Sequence, residues 1–158
     1  LVRGSEELEG AHMREIPSVV AVVMISGKVL LLKRHPYDRS FTGWCLPGGK
    51  VDAGETKMVA LDRELTEETN FRLGRAYHID DYVTEKGDRR YTISAYLVIC
   101  KSPHPFKLNR EELEAHSYEY PVDALKMDLA GPTTRKIMEW LGSVDLSAFM
   151  AETEVETL

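Results

Sequence analysis

The stretch Gly49–Phe71 reads GKVDAGETKMVALDRELTEETNF. From Lys57 onward, Met58, Leu61 and Leu65 recur at helical spacing, and at about 100° per residue Glu64, Glu67 and Glu68 fall on one adjoining stripe. Thr56 is placed to cap the start of that helix, and Asn70 suits the left-handed residue that ends one. Ala60 falls among the carboxylates, where a small side chain leaves room. Like charges at i, i+3 and i+4 repel and raise one another's pKa values. Such a face therefore asks for a cation, and magnesium takes hard oxygen ligands, usually one or two carboxylates with water and phosphate. The competing reading is a solvated acidic helix in which Arg63 pairs with Glu67.

Upstream, SVVAVVMIS after Pro17 and the apolar run inside Lys28–Lys33 read as two strands joined by a tight Ser26-Gly27 turn. Their unbroken apolar character predicts cover on both faces. Arg34–Gly43 is a polar loop in which Lys33, Arg34, His35 and Arg39 are available for phosphate. Trp44–Leu46 is a short strand, and Pro47-Gly48-Gly49 a turn whose bare backbone can approach a metal or phosphate closely. Downstream, Arg75–Glu85 and Arg90–Cys100 form a hairpin about Lys86–Arg89, with the second strand apolar enough to be central. Ser102–His116 is a polar connection carrying Glu111, Glu112 and Glu114, and Tyr118–Pro121 is a short strand. A helix over Thr133–Leu141 turns Ile137, Met138 and Leu141 inward, with Pro132 in its first turn. This element order predicts an α/β fold, a mixed sheet between helices.

The 158 residues carry a net charge of −6 and no apolar run near the roughly 18 residues of a membrane span. Residues 1–12 resemble an expression remnant, LVRGS followed by a His-Met junction, and carry one Arg and three Glu, leaving −4 for the rest. The expected organisation is a remnant over 1–12, one domain over 13–142 and an acidic, peripheral or frayed tail over 143–158. That mild acidity argues against a membrane surface or non-specific nucleic acid as partner. Cys45 and Cys100 are too few for a disulfide framework and have no metal-ligand spacing, so both read as reduced core residues of a cytoplasmic protein.

Gly49–Phe71 closely resembles the Nudix box, G-x5-E-x7-R-E-U-x-E-E-x-G-U with U a bulky apolar residue. Every fixed position matches except Asn70, which stands where the family has Gly. The resemblance implies a Nudix-type α/β/α sandwich and a magnesium-dependent hydrolase, with manganese as an alternative ion. It implies Glu64, Glu67 and Glu68 as metal ligands joined by the Gly48 carbonyl, Arg63 orienting the glutamates through a salt bridge, and Glu55 supporting the site from one layer behind the ligands. The general base differs among members: Glu64 is the candidate in the box, and Glu112, Glu114 and His116 are candidates in the later connection, of which Glu114 is favoured. Arg34, Arg39 and Lys50 are the substrate-binding candidates. Tyr91, Tyr96, Phe41 and Trp44 are the aromatics available to stack on a base.

The expected substrate is a nucleotide, a nucleoside diphosphate linked to a further group. Gly87, Asp88 and Arg89 stand where a dinucleoside-polyphosphate hydrolase would have Tyr, and Lys86 where an ADP-ribose hydrolase would have Pro. The echo of a coenzyme A signature in Lys33-Arg34 and Arg39 is one residue short between Gly43 and Pro47. What remains is a small MutT-like enzyme cleaving a nucleoside triphosphate to monophosphate and pyrophosphate. The alternatives are a nucleotide-sugar or ADP-ribose hydrolase, a capped or 5′-triphosphate RNA hydrolase, and a Nudix-like nucleotide-binding module without turnover.

Overall fold

The computed structural model describes residues 13–36, 42–101 and 105–158. Its strands are β1 (Arg14–Ile25), β2 (Lys28–Arg34), β3 (Trp44–Cys45), β4 (Gly48–Lys50), β5 (Leu73–Lys86), β6 (Arg89–Cys100), β7 (Leu113–Glu119) and β8 (Val155–Glu156). Its helices, in chain order, are α1 (Lys57–Thr69), α2 (Pro121–Ala124), α3 (Gly131–Leu141) and α4 (Leu146–Glu152). None of them is long and apolar enough to cross a membrane.

The sheet is mixed, in the order β3-β2-β1-β6-β5-β8, with β4 bonded to β1 and β7 to β2. Along β1 the side chains alternate in direction: Val19, Ala21 and Val23 pack with Met58, Leu61 and Leu65 of α1, while Val22 packs with Ile137, Met138 and Leu141 of α3. The chain is thus an α/β/α sandwich, and the apolar continuity of β1 and β2 reflects cover on both faces as expected. The Ser26-Gly27 turn has φ of 53° and 79°, the doubly positive geometry that suits a two-residue hairpin. β6 is central, parallel to β1 on one side and antiparallel to β5 on the other.

Helix α1 is fixed at both ends by local chemistry. The Thr56 side chain accepts a hydrogen bond from the Val59 N–H at 3.2 Å. Asn70 adopts φ 64° and donates its N–H to the Thr66 carbonyl, so the residue that departs from the usual Gly still terminates the helix. Asp62 then ties the helix to β5, accepting from Arg72 at 3.0 and 3.1 Å and from the Leu73 N–H at 2.8 Å.

Four local expectations are corrected. Pro47-Gly48-Gly49 is not simply a turn: Gly48 and Gly49 open β4, antiparallel to β1 with Val20 opposite Gly48. An alanine Cβ at Gly48 would collide with the Val19 carbonyl oxygen, so only glycine lets this strand lie there. Ala60 is fully buried in the apolar core and does not lie between the carboxylates. The strand expected at Tyr118–Pro121 begins at Leu113, and Pro121 instead opens α2. Alternation of Leu113 and Ala115 with charged Glu114 concealed a strand that pairs with β2. Finally, the tail is not frayed. Phe149 of α4 packs edge-on against Trp140 at 5.0 Å, and β8 occupies the outer edge of β5.

Candidate metal and nucleotide site

Helix α1 presents its carboxylates toward β4 and the segment before β7, and Arg63 organises them. The Arg63 guanidinium donates to both Glu55 oxygens at 2.7 and 2.9 Å, to Glu64 Oε1 at 2.9 Å, to Glu67 Oε2 at 3.4 Å and to the Lys50 carbonyl at 2.9 Å. The hydrogen bond from Arg63, helped by the Asp52 N–H, holds the Glu55 carboxyl down at about 2. The same pairing raises Arg63 above its usual value. Glu55 thus holds the guanidinium that also reaches Glu64 and Glu67.

Glu68 is the buried member, 2% exposed, with Oε1 accepting from the Gly48 N–H at 2.9 Å and Oε2 lying 3.9 Å from Arg34. Burial first, then the charges of Glu64 and Glu112, push its pKa up to about 8. Burial likewise raises Glu64 despite Arg63 beside it. Glu64 rests directly on Gly49, where an added Cβ would come within 2.5 Å of Oε1. Glu67 is half exposed at the rim.

These groups border an open cleft of about 570 Å³, lined among others by Arg34, Lys50, Glu64, Glu67, Glu111 and Glu112. A second, more apolar pocket of about 290 Å³ adjoins it and shares Arg34, Gly49 and Lys50. Of the sequence candidates, Arg34 and Lys50 thus sit where the two cavities meet. Arg39 and Phe41 lie outside the described residues. Glu114, on β7, does not line the cleft; its carboxylate is 3.8 Å from Lys33 of β2. Glu112, two residues earlier, does line it. His116 stacks against Phe106 at 4.5 Å. Among the aromatics, Tyr91 lines the second pocket, Tyr96 is in the core on the α1 side, and Trp44 has the Lys33 ammonium 5.9 Å from its ring. Thr84, Arg89 and the Ala130–Thr133 segment were not singled out by sequence for this pocket. No spacing signal announces them, because three separate pairings bring them in: Arg89 through β1–β6, Thr84 opposite Tyr91 in β5–β6, and the start of α3 through the Ala130 N–H donated to the Trp44 carbonyl.

Among the described residues, no three His, Cys, Asp or Glu side chains are gathered closely enough to hold a metal as they stand. Glu64 and Glu67 are drawn toward Arg63 instead. The donor set nevertheless fits a hard divalent cation. It is all oxygen, one carboxylate is buried, and burial, reinforced by neighbouring carboxylates, raises the pKa of both Glu64 and Glu68.

Comparison with known proteins bears on this arrangement. The chain is 34% identical over 113 residues to an 8-oxo-(d)GTP phosphatase of Mycolicibacterium smegmatis, covering 70% of this chain and 32% of that protein. It therefore spans about a third of that relative's length. It is 29% identical over 118 residues to the CTP pyrophosphohydrolase of Escherichia coli K12, covering 75% of this chain and 85% of that one. The crystal structure of the MutT protein from Methanosarcina mazei Go1 superposes with a TM-score of 0.71 at 25% identity, over 82% of this chain and 94% of that one. The NUDIX domain model matches residues 13–141, a span that contains α1 with its carboxylates and both cavities, and the chain belongs to the Nudix family.

Proposed function

We propose that this chain is a metal-dependent pyrophosphohydrolase that cleaves a nucleoside triphosphate to the monophosphate and pyrophosphate. The observation that carries this is the junction of an acidic cleft with a more apolar pocket through Arg34, Gly49 and Lys50. One cavity suits polyphosphate with a cation, the other a nucleoside. The Mycolicibacterium smegmatis and Escherichia coli relatives, named for 8-oxo-(d)GTP and CTP, support the same substrate class.

Glu64, Glu67 and Glu68, with the Gly48 carbonyl, would hold magnesium or manganese. When bound, that ion neutralises phosphate oxygens and makes water a better nucleophile. Arg34 and Lys50 receive the phosphate chain at the mouth shared by the two cavities. Water attacks a phosphorus, the bond to the bridging oxygen breaks, and pyrophosphate leaves with its charge balanced by these cations. Glu112 replaces Glu114 as the later-segment carboxylate placed to accept the water's proton, since it lines the cleft and Glu114 does not. Arg63, clamped by Glu55, keeps Glu64 and Glu67 in register.

The test is pyrophosphate release from a panel of nucleoside triphosphates with and without magnesium. Release from at least one triphosphate, abolished by EDTA, is the expected result. Phosphate appearing only from nucleotide sugars, ADP-ribose, dinucleotides or 5′-triphosphate RNA would move the substrate. A panel wholly inert while nucleotides still raise the melting temperature would leave a binding module. Arg63→Lys keeps the charge but loses the fork that serves Glu55 and Glu64 together. Its kcat should fall roughly ten- to a hundredfold; an unchanged kcat would remove Arg63 from the site.

A further inference from the structure

The pocket beside the acidic cleft has a one-sided polar lining. Its described residues include the Arg89 guanidinium and the hydroxyls of Thr84, Tyr91 and Thr133, but no Asp, Glu, Asn or Gln. The start of α3 also forms part of the wall. Its N-cap, Ala130, makes no side-chain cap and its first turn has no acidic residue, so that end keeps its amide donors and positive dipole. Among the described residues no carboxylate lies within ion-pair distance of Arg89, although the charge of the neighbouring Asp88 acts on it; its Nη1 donates a long hydrogen bond to the Tyr91 hydroxyl at 3.4 Å. A ligand edge meeting this wall meets one fixed donor fork, that of Arg89, beside hydroxyls that can donate or accept.

Strand register places that fork away from the carboxylates. Lys50 pairs with Ser18 on β1, and Ser18 pairs with Ile93 on β6. Two strand spacings therefore separate Lys50 from Ile93 by roughly 10 Å, and Arg89 lies a further 13 Å or so along β6. With polyphosphate at Arg34 and Lys50, the Arg89 end receives the base.

We propose that Arg89 reads the nucleobase and selects one that offers two adjacent acceptors, guanine through O6 and N7 or cytosine through O2 and N3. This deepens, and rests on, the reading of the substrate as a nucleoside triphosphate. The fork fits such an edge in bidentate fashion. Adenine sets a donor amino group beside each acceptor on its exposed edges, and uracil sets N3–H between its two carbonyls. Either base would turn a donor toward the Arg89 fork, and no described carboxylate or carboxamide in the lining is there to answer it.

The test measures pyrophosphate release from GTP, CTP, ATP and UTP together with calorimetric binding of the four monophosphates, for the wild type, Arg89→Ala and Arg89→Lys. Wild-type kcat/KM for GTP or CTP should exceed that for ATP roughly tenfold or more, with monophosphate affinities in the same order. In Arg89→Ala that ratio should collapse to within about threefold, chiefly through KM, and Arg89→Lys should follow because it keeps charge without the fork. Preference for ATP, or selectivity that survives Arg89→Ala, overturns the assignment. Turnover with base ratios unmoved by the substitution removes this inference and leaves the pyrophosphohydrolase reading. Absence of turnover alongside Arg89-dependent preference for GMP or CMP removes that reading and leaves this inference.

Discussion

Glu68→Gln should lose magnesium-dependent pyrophosphate release by roughly a hundredfold or more while making the metal-free protein more stable in alkali. The carboxylate is 2% exposed, and its surroundings push its pKa up to about 8. A group whose folded pKa exceeds its unfolded value binds more protons folded than unfolded between those two values. Stability therefore falls as pH rises from about 4.5 toward 8, and the full cost of the buried charge is present above that. An amide of the same shape removes the charge and can still accept the Gly48 N–H. In EDTA, Glu68→Gln should melt several degrees above wild type near pH 9, with the gap narrowing toward about pH 5. A melting curve below wild type across that range would show that the buried charge carries no cost, and retained catalysis would show that Glu68 is not a ligand.

Gly48→Ala should be the most destabilising single-methyl change near the site. The new Cβ would collide with the Val19 carbonyl oxygen and approach Val20 Cα to 2.8 Å, so β4 would have to leave β1. That displacement also withdraws the Gly48 N–H from Glu68. A loss of about 3 kcal/mol or more, seen as a melting temperature lower by roughly 10 °C, is expected together with loss of activity. Gly54→Ala is the control. It has φ of 83° but nothing within 4 Å of its added Cβ, so it carries backbone strain of only about 1–2 kcal/mol. Equal effects at the two positions would mean that the close approach of β4 to β1 does not govern the site.

Both expectations come from residues within one short window, and that window was also the most legible part of the chain. The caps at Thr56 and Asn70, the inward stripe of Met58, Leu61 and Leu65 and the shared face of Glu64, Glu67 and Glu68 follow from the 3.6-residue period and local hydrogen bonding. Legibility failed where a strand's partner supplied the meaning. Leu113–Glu119 looked polar until β2 lay beside it, and residues 146–156 looked peripheral until Trp140 and the edge of β5 gave them something to cover.

The amino-acid sequence alone determined the family, the carboxylate helix, and the two-sided burial of β1 and β2. Each of these depends on residues close in the chain, where backbone period fixes which side chains share a face. Only the tertiary structure decided that Glu112 and not Glu114 lines the cleft, that Glu68 is the buried carboxylate, and that Arg89 joins the pocket beside Lys50. Those outcomes depend on strand register, which joins residues far apart in the chain through pairings that no local spacing encodes.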